Sequence, residues 1–296
     1  MTIRIATHKV LVTPPAWLLV DPFLKQWLQE DLGRGDRTTE ALFTNKKIPT
    51  GQAQLILKAP GIVAGLPFVE RVFQLIGPDF EMQAALAEGK DGQPKTLIAT
   101  LTAPLDTLLM GERVALNILM RLSGIATETA HYARKIEDLP TTLVDTRKTT
   151  PGLRLLEKYA VRVGGGRNHR YGLDDAMMIK DNHIQAAGGI TEAIAAVRAN
   201  SPYPLAIEVE AETLEQAIEA VQQGADIVML DNMSPAKMAE VIPPLREINP
   251  RIKLEASGNI TLETIRAVAE TGIDFISTSA TITRAPWLDI SMKITA

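Results

Sequence analysis

The sequence predicts an α/β protein whose second half closes as a barrel of parallel strands. Three observations carry this. From Thr142 onward, short apolar segments alternate with amphipathic segments of helical period. The apolar segments are apolar throughout rather than alternating, which suits strands covered on both faces. Six or more strand-helix units in succession favour closure into a barrel with right-handed crossovers. An open doubly wound sheet is the alternative, but neither GxGxxG after a first strand nor GxxxxGK followed by Ser or Thr is present.

The elements follow in chain order. Phe23, Leu24, Trp27 and Leu28 predict a helix over 22–31, followed by the loop Gly33-Arg34-Gly35-Asp36. Short β-type runs at 53–57, 61–64 and 97–101 are bounded by Pro and Gly, with an amphipathic helix at 67–76 between them. A long helix over 107–135 carries Leu108, Leu109, Val114, Leu119, Leu122 and Ile125, and Gly124 is expected to break or bend it. The barrel strands are placed at 143–145, 177–179, 205–209, 227–230, 252–255 and 275–277, and the helices at 191–200, 214–223, 234–247 and 262–271.

Composition bounds the function. The chain has 296 residues, 46% of them hydrophobic, enough for one large core or two modest ones. Aromatics make up only 4% and the net charge is -4, which excludes base-stacking and polyanion-binding surfaces, so no nucleic-acid partner is expected. There is no Cys, hence no disulfide, thiolate metal site or Cys nucleophile, and the expected location is cytoplasmic. Charges and Pro14-Pro15 interrupt the first twenty residues, so neither a signal peptide nor a membrane partner is expected. Between Asp145 and His183, eight Lys/Arg face five Asp/Glu. A basic island in an acidic chain reads as a local anion site or an exposed patch.

Catalytic groups in α/β barrels come from the C-terminal ends of strands. Here those ends read Asp145-Thr146-Arg147-Lys148, Lys180-Asp181-Asn182-His183, Glu208-Val209-Glu210, Asp231-Asn232, Glu255-Ala256-Ser257-Gly258-Asn259 and Ser277-Thr278-Ser279-Ala280. Arg147 and Lys148 suit a carboxylate or phosphate, one as a planar fork and one as a mobile point charge. The bland reading pairs them with Asp145 or Glu157. Gly164-Gly165-Gly166 precedes Arg167, His169 and Arg170 and offers backbone that a ligand can approach closely. Glu210 and Asp231 could share a magnesium ion with substrate phosphates, hold sugar hydroxyls, or neutralise nearby lysines. The loops at Ser257 and Ser277 stand where barrels bind a monophosphate.

Residues 145–184, DTRKTTPGLRLLEKYAVRVGGGRNHRYGLDDAMMIKDNHI, closely resemble the central motif of the quinolinate phosphoribosyltransferase family of NAD biosynthesis. EDLGRGDRTT, GERVALNILMRLSGIAT, EVEAETLEQA, LDNMSP and EASGNI fall in the family's order, so the resemblance spans nearly the whole chain. It implies an N-terminal α/β sandwich domain over 1–124, rejoined by the tail 285–296, and an incomplete, about seven-stranded barrel over 125–284. It also implies a homodimer, open to higher assembly, in which Arg113 of one subunit reaches the barrel mouth of the other. In isolation Arg113 reads as a solvated helix residue. By the same resemblance Arg147, His169 and Arg170 bind the pyridine dicarboxylate. Lys148 and Lys180 lie between it and phosphoribosyl pyrophosphate, and Glu210 and Asp231 face the ribose hydroxyls and Mg2+. Ser257, Gly258, Asn259, Ser277, Thr278, Ser279 and Ala280 hold the ribose phosphate. Where many members read SxGxLTHS after the last strand, this chain has Ser279 for the glycine and Thr283 for the histidine.

The implied reaction joins quinolinate to phosphoribosyl pyrophosphate, giving nicotinate mononucleotide, pyrophosphate and CO2, with Lys148, Lys180, Glu210 and Asp231 as the catalytic groups. Three alternatives stand beside it. A nicotinate-type phosphoribosyltransferase would release no CO2. A Schiff-base aldolase would use Lys180. A nucleotide-binding barrel would show no turnover.

Overall fold

The computed structural model describes residues 12–295. The first eleven residues of the N-terminal segment read above therefore lie outside the described residues.

The N-terminal unit begins with α1 (Trp17–Leu32), which starts five residues before the expected helix and carries Pro22 inside it. Proline removes one backbone donor. The apolar face Val20, Leu24 and Leu28, buried one turn apart, holds the helix regardless. In α2 (Arg37–Phe43), the Asp36 carboxylate caps the helix by accepting from the N–H groups of Thr38 and Thr39. Next come β1 (Thr50–Leu57), β2 (Gly61–Ile62), α3 (Leu66–Ile76), β3 (Glu81–Ala84), β4 (Asp91–Gly92) and β5 (Leu97–Pro104).

Helix α4 (Leu105–Arg134) runs thirty residues without interruption, so the expected break at Gly124 does not occur. The glycine has a different cause: a Cβ there would lie 1.9 Å from the Pro286 carbonyl oxygen. Gly124 is where the C-terminal segment crosses the helix, and the Leu288 N–H donates to the Met120 carbonyl at that crossing. The boundary expected between 124 and 125 thus falls inside one helix.

The second unit alternates strands and helices: β6 (Thr142–Val144), α5 (Arg154–Val163), β7 (Met177–Ile179), α6 (Asp181–Ala187), α7 (Ile190–Asn200), β8 (Ile207–Ala211), α8 (Leu214–Gln222), β9 (Ile227–Asp231), α9 (Pro235–Ile248), β10 (Lys253–Ser257), α10 (Ile265–Ala269), β11 (Phe275–Ser277) and α11 (Ala280–Thr283). Its six parallel strands run in the order β6-β11-β10-β9-β8-β7. A single parallel bridge, Val144 to Arg167, adds a seventh position beside β6. No pairing joins β6 to β7, so the barrel is incomplete. The chain then returns as β12 (Ile290–Thr295), which pairs antiparallel with β1 in the sheet β12-β1-β5-β3.

Side chains alternate along each barrel strand. Val209, Val228, Leu230, Leu254, Ala256 and Ile276 pack outward into one apolar cluster with Ala217, Ala220, Met238, Val241 and Ile265 of the helices. Their neighbours on the opposite face, among them Glu208, Glu210, Met229, Asp231, Glu255, Ser257 and Ser277, look into the bore. Outward packing therefore fixes which polar residues share the interior.

Candidate active site

At the C-terminal ends of the strands lies a cavity of about 530 Å³. Arg147 and Lys148 reach it from the loop after β6, His169 and Arg170 from the segment after the Arg167 bridge, and Lys180 from the end of β7. Glu210, Asp231, Ser257 and Ser277 come from the ends of β8, β9, β10 and β11, with Gly258 and Asn259 just beyond β10. Four cations and two carboxylates thus share one concavity, three of the cations from strand ends and Arg170 from the segment after the glycine run.

The bland pairing of Arg147 and Lys148 with Asp145 or Glu157 is not found. Asp145 is fully buried and paired with the equally buried Lys158 ammonium. Its carboxylate also accepts from Asn168 Nδ2 (2.6 Å) and the His169 N–H (2.9 Å), while Lys158 donates to the His169 carbonyl (3.0 Å). Burial pushes the Asp145 carboxyl up and the Lys158 ammonium down, each opposed by the other's charge. Glu157 is likewise taken, by Arg121 at 2.7 Å and by the Thr150 N–H and hydroxyl. Among the described residues, Arg147, Lys148 and Arg170 form no ion pair, and the Arg147 Nε is buried without a partner. A buried, unmatched guanidinium donor beside a cavity is a group waiting for an acceptor. Burial and the Arg147 charge push the Arg170 guanidinium down, as expected of two cations sharing one small space.

The glycine run does not serve ligand approach. A Cβ on Gly164 would lie 2.4 Å from the Ala126 carbonyl, and one on Gly166 would lie 2.8 Å from Val161 and 3.1 Å from Thr129. These glycines let the chain pass under α4 and reach the bridge at Arg167. They act on the site only by delivering His169 and Arg170.

On the acidic side, Lys180 Nζ donates to Glu210 at 3.1 Å. Burial, together with the charges of Glu210 and Glu212, pushes the Asp231 carboxyl up, partly offset by Lys180 and Lys148. The loops after β9 and β10 are locked together. The Asn232 N–H donates to the Ser257 carbonyl (2.9 Å), and Asn259 Nδ2 donates to Asn232 Oδ1 (3.2 Å). Asn232 (φ 55°), Gly258 (91°) and Asn259 (53°) all adopt left-handed backbone, which Asn and Gly tolerate best. Met178 and Met229 line the cavity but escape a reading that looks only for polar groups at strand ends. The alternation of side chains along β7 and β9 is the signal that finds the two methionines.

Four expected residues stand elsewhere. Thr278 is buried, its N–H donating to the Val144 carbonyl and its hydroxyl accepting from the Ala280 N–H. Ser279 is the N-cap residue of the four-residue α11, and Ala280 packs in the apolar core of the barrel. Arg113 lies on α4 in a separate groove of about 330 Å³ with Trp27, Glu30, Asp31, Asn117 and Trp287. His169 does line the cavity, but both ring nitrogens are already engaged. Nδ1 accepts from the Arg170 N–H (2.7 Å), and Nε2 faces Glu208 (3.1 Å) and Glu255 (3.7 Å).

Comparison with known proteins follows the same lines. Two family models match, that of the quinolinate phosphoribosyl transferase N-terminal domain over residues 36–123 and that of its C-terminal domain over 125–293. The chain is 54% identical to "Probable nicotinate-nucleotide pyrophosphorylase (carboxylating)" of Synechocystis sp., covering 97% of this chain and 98% of that one. It is 39% identical to the human nicotinate-nucleotide pyrophosphorylase (carboxylating), over 97% and 94%. The crystal structure of NadC from Streptococcus pyogenes superposes with a TM-score of 0.90 at 42% identity, over 96% and 99%. Human nicotinic acid phosphoribosyltransferase, with a TM-score of 0.60 at 15% identity over 97% and 74%, shares the fold alone.

Proposed function

We infer the reaction from the premise that this chain belongs to the quinolinate phosphoribosyl transferase family. It is a decarboxylating phosphoribosyltransferase of de novo NAD biosynthesis, which makes nicotinate mononucleotide, pyrophosphate and CO2 from quinolinate and phosphoribosyl pyrophosphate. The observation that carries this reading is the cavity itself, where Arg147 with its unmatched Nε stands beside Arg170, opposite Glu210 and Asp231.

Each part of the cavity has a task in that reaction. The guanidinium groups of Arg147 and Arg170 are matched to the two carboxylates of quinolinate and orient its ring nitrogen. The nitrogen lone pair forms a bond to the anomeric carbon, and the bond from that carbon to pyrophosphate breaks, its electrons leaving with pyrophosphate. Positive charge builds on the ribose, where the carboxylates of Glu210 and Asp231 stabilise it, and negative charge builds on the leaving group, where Lys148 and Lys180 do so. The product is a pyridinium, so the bond from C2 to its carboxylate can then break. CO2 leaves, the electron pair stays on C2 beside the cationic nitrogen, and C2 takes up a proton. Glycosyl transfer must come first, because before it the ring has no such electron sink.

Glu210 and Asp231 also fit a magnesium ion. The Asp231 carboxyl is pushed up by burial and by acidic neighbours that Lys180 offsets only in part, and a hard cation shared with phosphate oxygens would relieve that crowding. When bound, the ion would neutralise developing charge on pyrophosphate. Ser257, Gly258, Asn259 and Ser277 are positioned to hold the ribose phosphate.

Arg113, carried on a groove away from its own cavity, supports a homodimer in which each subunit lends this residue to its partner. Mixing R113A with K180A subunits tests this: separately weak variants should regain activity when mixed, and no regain would remove the sharing. The phosphorylated donor and product favour a cytoplasmic location. Among the described residues no helix is long and apolar enough to cross a membrane.

The decisive assay follows pyrophosphate and CO2 together with quinolinate, phosphoribosyl pyrophosphate and Mg2+ supplied. Equal release of both is expected. Turnover of nicotinate without CO2 would instead establish the non-decarboxylating reading.

A further inference from the structure

The barrel is open on the side where the cavity's cations are densest. Arg147 and Lys148 follow β6, His169 and Arg170 follow Arg167, and the two segments are joined as strands only by the single bridge from Val144 to Arg167. Elsewhere around the barrel, paired parallel strands fix how far apart neighbouring strand ends lie. Here side chains must set that spacing.

Two ties do so in succession. At the level of His169, the Asp145 carboxylate accepts from Asn168 Nδ2 and the His169 N–H, and Lys158 donates to the His169 carbonyl. Farther along both segments the tie is Arg154, a residue with no task of its own in the reaction. Its Nε donates to the Thr149 hydroxyl (3.0 Å) and one terminal nitrogen donates to the Tyr171 carbonyl (2.9 Å). The other terminal nitrogen lies 3.5 Å from the Arg147 carbonyl, a weak contact by itself. The grip on that loop runs through Thr149, whose N–H donates to the same Arg147 carbonyl at 3.0 Å. One planar guanidinium thus spans the loop of Arg147 and the residue that follows Arg170. Among the described residues, no other side chain hydrogen-bonds both to residues 146–150 and to residues 168–176.

The place of Arg154 is otherwise unfavourable. It is the first residue of α5, where a cation opposes the helix dipole, and among the described residues it forms no ion pair. All three of its acceptors are neutral groups of the two segments it joins. The cations it serves also differ in their support. The Arg170 guanidinium donates to the Ala176 carbonyl (2.9 Å) and to Met178 Sδ (3.5 Å), whereas the Arg147 side chain makes no hydrogen bond among the described residues. Where Arg147 stands relative to Arg170 therefore depends on its backbone, which Arg154 holds. We propose that Arg154 is a positioning residue that sets the distance between the Arg147 and Arg170 guanidinium groups, and so matches them to two carboxylates on adjacent ring carbons.

The inference rests on the proposed reaction, and the test separates the two. Steady-state rates of wild type, Arg154→Met and Arg154→Lys are measured with quinolinate and phosphoribosyl pyrophosphate varied in turn. In R154M, KM for quinolinate should rise about tenfold or more, and by a larger factor than KM for phosphoribosyl pyrophosphate, whose contacts on β7 to β11 Arg154 does not touch. R154K keeps the charge but replaces the planar fork with one donor centre, so most of that rise should persist. Three results would each overturn the proposal. An unchanged KM for quinolinate in R154M leaves Arg154 idle, equal rises for both substrates make it a general support of the fold, and wild-type constants in R154K reduce it to a charge. Should R154M not fold by circular dichroism, R154K alone is read by the same criteria. A wild type that releases no CO2 from quinolinate defeats the proposed reaction itself, whereas normal wild-type turnover with variants that share its constants defeats only this inference.

Discussion

Replacing Lys158 with Met tests how the site is held. The Lys158 ammonium is fully buried, paired with the equally buried Asp145 carboxylate, and donates to the His169 carbonyl at 3.0 Å. Removing one partner of a buried pair leaves an uncompensated charge, which costs about 3–5 kcal/mol. The lost hydrogen bond to His169 adds about 1 kcal/mol, and the apolar gain from methionine offsets about as much. A net loss of about 3–5 kcal/mol is a large share of the roughly 5–15 kcal/mol that holds a typical protein folded. The double variant D145N/K158M should recover about half of that loss, because the burden in the single variant is the stranded carboxylate rather than the missing amine. The amide oxygen that D145N introduces would still accept from the His169 N–H. Urea denaturation of the wild type, both single variants and the double variant completes the cycle. Activity should fall with K158M even where it remains folded, since His169 and Arg170 lose an anchor. A K158M protein destabilised by less than about 1 kcal/mol would refute the reasoning.

Four further outcomes are expected. Arg147→Ala should lower kcat/KM by about a hundredfold or more, comparable to losing a preorganised donor worth ~2.7–4 kcal/mol, and unchanged kinetics would remove Arg147 from the site. Gly124→Ala gains about 1 kcal/mol of helix propensity but forces the Pro286 carbonyl off α4, so urea denaturation should show net destabilisation; a stabilised variant would contradict the crossing. Gly258→Ala would place a Cβ 2.1 Å from Asn232 Oδ1 at a backbone φ of 91°, and should weaken phosphoribosyl pyrophosphate binding more than quinolinate binding, as measured by the two KM values. For stability against pH, the folded-state pKa of Glu255 is raised above its ordinary 4.5 to about 7. Its contribution is therefore complete below 4.5 and is lost as pH rises through about 7. Denaturation midpoints of wild type minus E255Q should fall across that window, and a constant difference would argue against the raised value.

Most of the polar lining of the cavity was legible in the sequence because a parallel barrel gathers its strand ends at one mouth. Arg147, Lys148, Lys180, Glu210, Asp231 and Ser257 needed only the recognition of where each apolar run stops, whereas Arg170 is reached through the glycine run before it. Strand alternation also held within reach the layer of Glu208 and Glu255, which a search confined to the last residue of each strand passes over. The bounds of β7 and β11 follow from their apolar runs alone, whereas α1 starts early because its buried face outweighs Pro22.

The amino-acid order by itself determined the strand-helix alternation, the parallel sheet and the polar character of its strand ends, since these depend on local period and on which residues end each run. Tertiary structure decided the rest. Gly124, Gly164 and Gly166 are needed for what crosses α4 or lies against it, not for bending or for ligand approach. Asp145 is paired with Lys158 rather than with its neighbours Arg147 and Lys148, and so leaves those cations to the cavity. Arg113 faces a groove remote from its own barrel mouth. The physical reason is common to all: periodicity fixes which face a residue occupies, but which distant segment meets that face is set only when the chain closes on itself.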